Sequence, residues 1–300
     1  MKRRNYCYIL FLLILLIFLP IKNQKTYLKD IKWLEGNQLE NIIPWYAVDE
    51  HNVYLDKKIK IGIIDGPVST THDQTKNLEI NTLKLTSGVA TEDIEHGTSV
   101  LGVITSNDKK GPFKSMLSID NVEIYNAVVL DNGYASQSDI LEAFVWLKKQ
   151  DIDIINISID IKEYTSELKD EIKEITNSQI PILFSNGNGN YSTAESSKII
   201  YDYVWYIGMQ TVDGKYKNEI TDPKKRVFYL PGEYILSLSH KKKYSIYNGA
   251  SYSTAIATSI IGDKMLSLER KLSKEEINHL LSNSTFAAQN RQVHLNIIGQ

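Results

Sequence analysis

Hydrophobic and polar positions along this chain follow two periods, and the two alternate. Short apolar runs recur at Ile59–Ile64 (ending in Asp65-Gly66), Val122–Leu130, Ile152–Ile159, Ile180–Ser185, Val204–Gly208 and Val227–Leu230. Their length and their content of Ile and Val mark strands buried on both faces. Between them lie segments with apolar residues three and four apart, the helical period. His96–Ser106 carries Val100, Leu101, Val103 and Ile104. Ser136–Gln150 lines up Ile140, Leu141, Phe144 and Leu147 behind a capping box from Ser136 to Asp139. Ser166–Asn177 is amphipathic through Leu168, Ile172 and Ile175. Ser251–Leu268 is mostly apolar, and Ser273–Ser282 opens with the box Ser273 to Glu276. Strands alternating with helices of this length predict an α/β fold, an open, mostly parallel β-sheet with helices on both faces. Such sheets gather their sites at the carboxyl ends of the strands.

The pattern changes at the amino terminus. Lys2, Arg3 and Arg4 precede an uncharged stretch from Asn5 to Ile21 dominated by Leu, Ile and Phe. A basic start followed by an apolar run predicts an export signal or membrane anchor over residues 1–21, with the remainder of the chain outside the cytoplasm. No small-x-small cleavage site is present after it, since Leu19, Pro20 and Ile21 suit one poorly, so an uncleaved anchor is favoured over a removed signal peptide. Residues 22–50, polar and rich in Lys and Asn around Trp33 and Trp45, read as a linker and entry segment to a domain over residues 51–300. They are too few for another folded domain before the first strand. Cys7, the only cysteine, lies in the apolar segment, so a disulfide or a cysteine-based site in the domain is excluded.

Composition adds little beyond consistency. With 42% hydrophobic and 23% charged residues, the chain can bury a sizeable core. A formal charge of -2 gives no electrostatic reason to expect nucleic acid as a partner.

The candidate chemistry lies where the strand pattern places functional side chains on one edge. Asp65 ends the first strand, Asn188 comes after the Ile180–Ser185 strand in a Gly-flanked turn, and His96 and Ser251 each open a predicted helix beside small residues. A serine hydroxyl becomes a nucleophile when an imidazole accepts its proton, and the imidazole needs a carboxylate on its other nitrogen. The oxyanion that forms needs preorganised donors, here the Asn188 amide and the Ser251 backbone N–H at a helix start. Taken singly, each residue has a plainer reading. Asp65 can close a turn beside Gly66. The Gly/Asn run at 186–190 can be a simple turn or a weak phosphate loop, although it lacks the Lys and Ser/Thr of a P-loop. The other histidines (His51, His72, His240, His279, His294) have no comparable context, and His72 reads as a loop residue.

Four motifs carry a resemblance. Ile61-Gly62-Ile63-Ile64-Asp65-Gly66 resembles the strand-and-aspartate motif of the subtilisin-like serine peptidases, the subtilases. His96-Gly97-Thr98-Ser99-Val100-Leu101-Gly102 resembles their histidine motif, and Gly249-Ala250-Ser251-Tyr252-Ser253-Thr254 their nucleophile motif. Phe184-Ser185-Asn186-Gly187-Asn188 is similar to the segment that supplies the oxyanion asparagine. The order Asp, His, Ser is the family's own, and the likeness covers about residues 40–270. Three departures stand out: Gly66-Pro67 after the aspartate, Ala250 where Thr is common, and Ala255 where Pro usually ends the nucleophile motif.

The resemblance implies an endopeptidase with Asp65, His96 and Ser251 as its triad, either a general protease or a processing enzyme for secreted peptides, and the amino-terminal segment makes it an extracytoplasmic, membrane-tethered one. The alternative is an inactive homologue that binds peptide without cutting it. It further implies that a peptide or protein substrate lies extended between two edges, Gly133-Tyr134-Ala135 and Ser158-Ile159-Asp160. Where relatives have Ser-Leu-Gly-Gly, this chain has Ser158-Ile159-Asp160-Ile161, which puts an acid at the pocket for the residue before the cleaved bond. The competing reading leaves Asp160 as a solvated loop acid. No cofactor is required for this chemistry. Structural calcium is common in the family, but no ligand set for it is legible here, and no metal site is assigned.

Overall fold

The computed structural model describes residues 57–106, 115–161, 163–187, 199–211, 214–217 and 227–290. The predicted anchor (1–21), the linker (22–50) and Asn188 lie outside the described residues. In chain order the strands are β1 (Ile59–Asp65), β2 (Ile80–Lys84), β3 (Thr105–Ser106), β4 (Leu117–Ser118), β5 (Val122–Val128), β6 (Ile154–Ile157), β7 (Ile182–Ser185), β8 (Val204–Gln210), β9 (Val227–Pro231), β10 (Ile235–Leu238) and β11 (Tyr244–Tyr247). The helices are α1 (Thr91–Ile104), α2 (Gln137–Lys148), α3 (Ser166–Asn177), α4 (Ala250–Leu268) and α5 (Lys274–Asn290).

Seven strands form one sheet in the order β2-β5-β1-β6-β7-β8-β9, and every pairing in it is parallel. Ile61 sits between Ile124 of β5 and Ile154 of β6, so β1 is a central strand. Alternate residues of β1 point to opposite layers. Ile64 belongs to the core beneath α2 and α3, and the gap at Gly62 is filled by Leu147 of α2 and Ile152. Ile59 faces Gly262 of α4 on the other side. The predicted two-faced α/β architecture is the one observed.

α4 explains its own composition. It packs across β1, β6, β7, β8 and β9 and against α1, and its residues from Ala250 to Gly262 are all buried. A helix surrounded in this way cannot be amphipathic, and small residues let it come close to the sheet. Two of its hydroxyls find partners on the helix itself: Thr254 donates to the Ala250 carbonyl at 2.7 Å and Ser259 to the Ala255 carbonyl at 2.9 Å. With Ala255 in place of Pro the helix runs unbroken.

Both expected caps form, although at Ser136 only one half of the box is present. Ser136 Oγ accepts from the Asp139 N–H at 3.1 Å, and Ser273 and Glu276 form a reciprocal box, with N–H to Oε2 at 2.8 Å and N–H to Oγ at 3.2 Å. Three predicted strands, β5, β6 and β7, are shorter than their apolar runs. Ile152 and Ile159 are buried but lie outside β6, because an apolar run records burial and not ladder hydrogen bonds. β2 escaped the pattern because it is a sheet edge, half exposed, with Ile80 and Leu83 three apart. The hairpin β10–β11 was also unforeseen. Among the described residues, no helix is long and apolar enough to cross a membrane.

Candidate active site

The site forms where the order of strand addition reverses. β2 and β5 lie on one side of β1 and β6 to β9 on the other, so the carboxyl end of β1 opens onto a crevice. Asp65 ends that strand and is fully buried. Its Oδ1 accepts the Gly66 N–H at 2.6 Å and lies 2.7 Å from His96 Nδ1. His96 was expected to open a helix. It is instead in the second turn of α1, which begins at Thr91. The earlier start adds a turn whose first residues face the loop after β1.

Two glycines bring that helix against the strand end. A Cβ on Gly66 would stand 2.2 Å from the Asp93 carbonyl of α1, and one on Gly97 would stand 2.6 Å from the Gly66 carbonyl. Backbone thus lies directly on backbone, and the histidine reaches the carboxylate. Gly66, a departure from the family motif, is required by this contact.

His96 Nε2 lies 3.2 Å from Ser251 Oγ. A carboxylate can only accept, so the neutral imidazole donates from Nδ1 and offers Nε2 to the serine. Burial by itself lowers the imidazole pKa. The Asp65 charge and hydrogen bond, with a smaller contribution from Asp93, outweigh it, and the pKa is raised above its usual 6.5.

Ser251 is the second residue of α4, and helix N–H groups at that position have no intrahelical acceptor. The Ser158 carbonyl, 3.0 Å from Ser251 Oγ, is a second acceptor that competes with His96 Nε2 for the one hydroxyl proton, while Ser158 Oγ donates to the Ser251 carbonyl at 3.1 Å. Ser158, expected as a substrate edge, is therefore also a reciprocal partner of the serine. Beneath it Asn156 Nδ2 donates to Ser158 Oγ at 2.9 Å, and Thr258 Oγ1 donates to Asn156 Oδ1 at 3.0 Å. This buried chain ties the end of β6 to α4.

An aromatic support was missed in the sequence. The Tyr252 ring is tilted beside His96 at 6.3 Å and stacks on Tyr247 at 5.2 Å. Ser99 Oγ donates to the His96 carbonyl at 2.9 Å, which leaves Tyr252 to donate to Ser99 at 3.1 Å. Tyr247 and Ser239 both donate to Glu95 at 2.6 Å, so the β10–β11 hairpin is pinned beside the histidine. Burial opposes the Glu95 charge, yet these hydroxyls and the N–H groups of Lys241 and His240 hold its carboxyl below the usual range.

The other expected residues fall around this floor. Gly133 and Tyr134 sit in the turn Asp131–Tyr134, closed by hydrogen bonds of 2.8 and 3.1 Å between its ends. Asn132 and Gly133 both have positive φ, 53° and 78°, the hairpin turn for which Asn-Gly is the sequence signal. The Tyr134 side chain is 74% exposed. Ile159 is buried in the core under α2 and α3, so its backbone and not its side chain is at hand for a ligand. Asp160 is exposed at the end of the β6 loop. Its charge adds to the burial that drives the Tyr164 hydroxyl pKa well above its usual value. His72 has both ring nitrogens engaged, with the Lys243 carbonyl at 2.7 Å and the Gln74 N–H at 3.1 Å, in keeping with a loop role. Among the described residues there is no group of three or more His, Cys, Asp and Glu side chains that could hold a metal ion.

Comparison with known proteins gives concordant results. The sequence profile of the Subtilase family matches residues 56–299. The major intracellular serine protease of Bacillus subtilis (strain 168) is 28% identical over 237 residues, 74% of either chain. Subtilisin DY of Bacillus licheniformis is 23% identical over 203 residues, 66% of this chain and 73% of the relative. Among solved structures, the patellamide maturation protease PatA superposes with a TM-score of 0.61 at 18% identity, covering 76% of this chain and 87% of its own.

Proposed function

The chain belongs to the subtilase family and is a serine peptidase, and we propose that Asp65, His96 and Ser251 are its catalytic triad. The observation that carries the proposal is the unbroken series from buried carboxylate to imidazole to hydroxyl, at 2.7 and 3.2 Å. In this reading Ser251 Oγ attacks the peptide carbonyl carbon as its proton passes to His96 Nε2. Asp65 holds the imidazole in the required tautomer and stabilises the imidazolium. His96 then gives the proton to the leaving amine, and an acyl-enzyme remains on Ser251. Water, deprotonated in turn by His96, releases the acid and restores the hydroxyl. The Ser251 N–H and the Asn188 amide are the proposed oxyanion donors, the latter on sequence grounds. Asn188→Ala is then expected to lower kcat by ~10²–10³ with little change in KM; a loss confined to KM makes Asn188 a binding residue.

The test of the nucleophile is covalent labelling by a fluorophosphonate probe. Ser251 takes the label in the wild type, and the label is lost in Ser251→Ala and slowed in His96→Ala. A folded wild-type protein that takes no label supports the peptide-binding alternative instead. The substrate is proposed to lie as an extended strand between Gly133-Tyr134-Ala135 and Ser158-Ile159-Asp160. Profiling on a peptide library separates a processing enzyme, with one or two preferred sequences, from a scavenging one.

The proposal includes export, with the domain outside the cytoplasm and held by residues 1–21. It is supported by the charge and apolar pattern of that segment alone. The expected result is recovery with membranes and shaving by protease added outside. Recovery as soluble protein within the cell, the location in the name of the Bacillus subtilis relative, overturns it.

A further inference from the structure

Asp93 lies one helical turn before His96 on α1 and is 2% exposed. Its carboxylate forms no ion pair with any Lys or Arg among the described residues. Backbone N–H groups satisfy it: Gly133 N–H to Oδ1 at 2.8 Å, Asn132 N–H to Oδ2 at 2.8 Å, and Ala90 N–H to Oδ2 at 3.3 Å. Capping of α1 accounts only for the last and longest of these. The two short bonds cross to the Asp131–Tyr134 turn, 39 and 40 residues along the chain. Asn132 and Gly133 are themselves exposed, but the carboxylate that accepts from them is buried, and charge-assisted bonds to a buried carboxylate are among the stronger contacts a protein makes. The turn is held from a second side as well, since a Cβ on Gly88, just before α1, would stand 2.6 Å from the Asp131 carboxylate.

We propose that Asp93 is a positioning residue that clamps one substrate edge, Gly133-Tyr134-Ala135, to the helix carrying His96. The proton acceptor and the strand that aligns the substrate backbone are then one rigid piece. The turn consumes the N–H and carbonyl of Tyr134 through Asp131, and the Gly133 N–H goes to Asp93. A peptide is left the Gly133 carbonyl and the backbone of Ala135. An exposed two-residue turn would wander without the clamp. A misplacement of about 1 Å in a bound substrate can cost on the order of 100-fold in rate. The inference rests on the proposal that this segment is a substrate edge.

The experiment compares two substrates in the full chain: a chromogenic ester or anilide with one residue before the cleaved bond, and the same leaving group behind four residues. The wild type is expected to prefer the longer one. Asp93→Asn, nearly isosteric, turns an amide N–H toward a backbone N–H. It is expected to lower kcat/KM on the long substrate by on the order of 10- to 100-fold, mainly through KM, and the short substrate by at least tenfold less. Gly133→Ala leaves Asp93 intact but strains a residue at φ +78° whose added Cβ meets nothing. It is expected to repeat the pattern with a smaller loss. Equal losses on the two substrates in these variants, or no loss, overturn the clamp while a length preference in the wild type keeps the edge itself. A wild type with no length preference removes the edge and the clamp together. Should Asp93→Asn fail to fold, Gly133→Ala carries the same comparison.

Discussion

The floor and the rim of this site are built on opposite principles. On the floor, Asp65, Ser158, Ser251, Asn156 and Thr258 are all buried, and contacts such as Thr258 to Asn156 and Ser158 to Ser251 tie packed elements together. Close approach is enforced by missing side chains, with Gly66 and Gly97 letting α1 lie on the chain after β1. On the rim, Tyr134 and Asp160 are exposed, and the Asp131–Tyr134 turn is hydrogen-bonded to α1 through the Asp93 carboxylate. A floor of this kind fixes reacting atoms, which tolerate little error. A rim of the other kind can change residue by residue without disturbing the fold. On the proposed roles of these residues, chemistry and specificity are separated, and substitutions can test the separation.

The largest effect is expected at the centre of the floor. Ser251→Ala or His96→Ala should lower kcat by roughly 10⁴–10⁶, the scale set by triad deletions in serine peptidases, with thermal unfolding nearly unchanged. Retention of substantial hydrolysis by Ser251→Ala would mean that another nucleophile is at work.

Next comes Gly66→Ala. Its Cβ would meet the Asp93 carbonyl at 2.2 Å, so α1 must move and carry His96 with it. Overpacking of this kind costs ~1–3 kcal/mol, and turnover should fall together with the melting temperature. An unchanged melting temperature would show that the floor can give.

A smaller and graded effect is expected from pH. Because the His96 pKa is raised, the acid limb of kcat/KM should lie above pH 6.5, and Asp65→Asn should move it to lower pH while cutting the rate. A limb below pH 6.5 in the wild type would contradict the proposed coupling. For stability the sign comes from the same shift. The interactions of His96 contribute fully below its unfolded pKa and are lost as pH rises through the folded value. His72 acts in the opposite sense. Burial lowers its pKa most, while the Lys243 carbonyl and Asp73 oppose that. The neutral ring therefore costs stability as pH falls below 6.5, and His72→Gln should flatten that acid-side decline. Unfolding measured across pH 5–8 checks both.

The smallest effect belongs to the rim. Asp160→Gly should leave folding and the maximal rate alone and weaken a preference for Arg over Leu before the cleaved bond, by no more than about tenfold for an exposed charge. Identical Arg-to-Leu ratios in the two proteins would remove Asp160 from specificity.

Much of this protein is legible in its residues alone. Runs of Ile and Val with helical segments between them specify the parallel sheet, because a strand buried on both faces has little room for polar residues. The bounds of α3 and the caps at Ser136 and Ser273 were legible because capping is local chemistry within three or four residues. Asp65, His96 and Ser251, the proposed triad, could be singled out because each sits in a short motif, although the expected position of His96 at a helix start gave way to the second turn of α1. What the sequence could not convey is contact between distant segments. Asp93 reads as an ordinary first-turn acid until the fold brings residues 132 and 133 to its carboxylate. Glu95, Tyr247 and Tyr252 are an acid and two tyrosines until the β10–β11 hairpin stacks them beside His96. Thr258 lies in an apolar helix and shows no purpose until Asn156 meets it from β6. The hydrogen-bonded partners in these contacts lie between 39 and 153 positions apart, and no periodicity spans such separations. Only the close packing of helix on sheet decides which hydroxyl or carboxylate meets which donor.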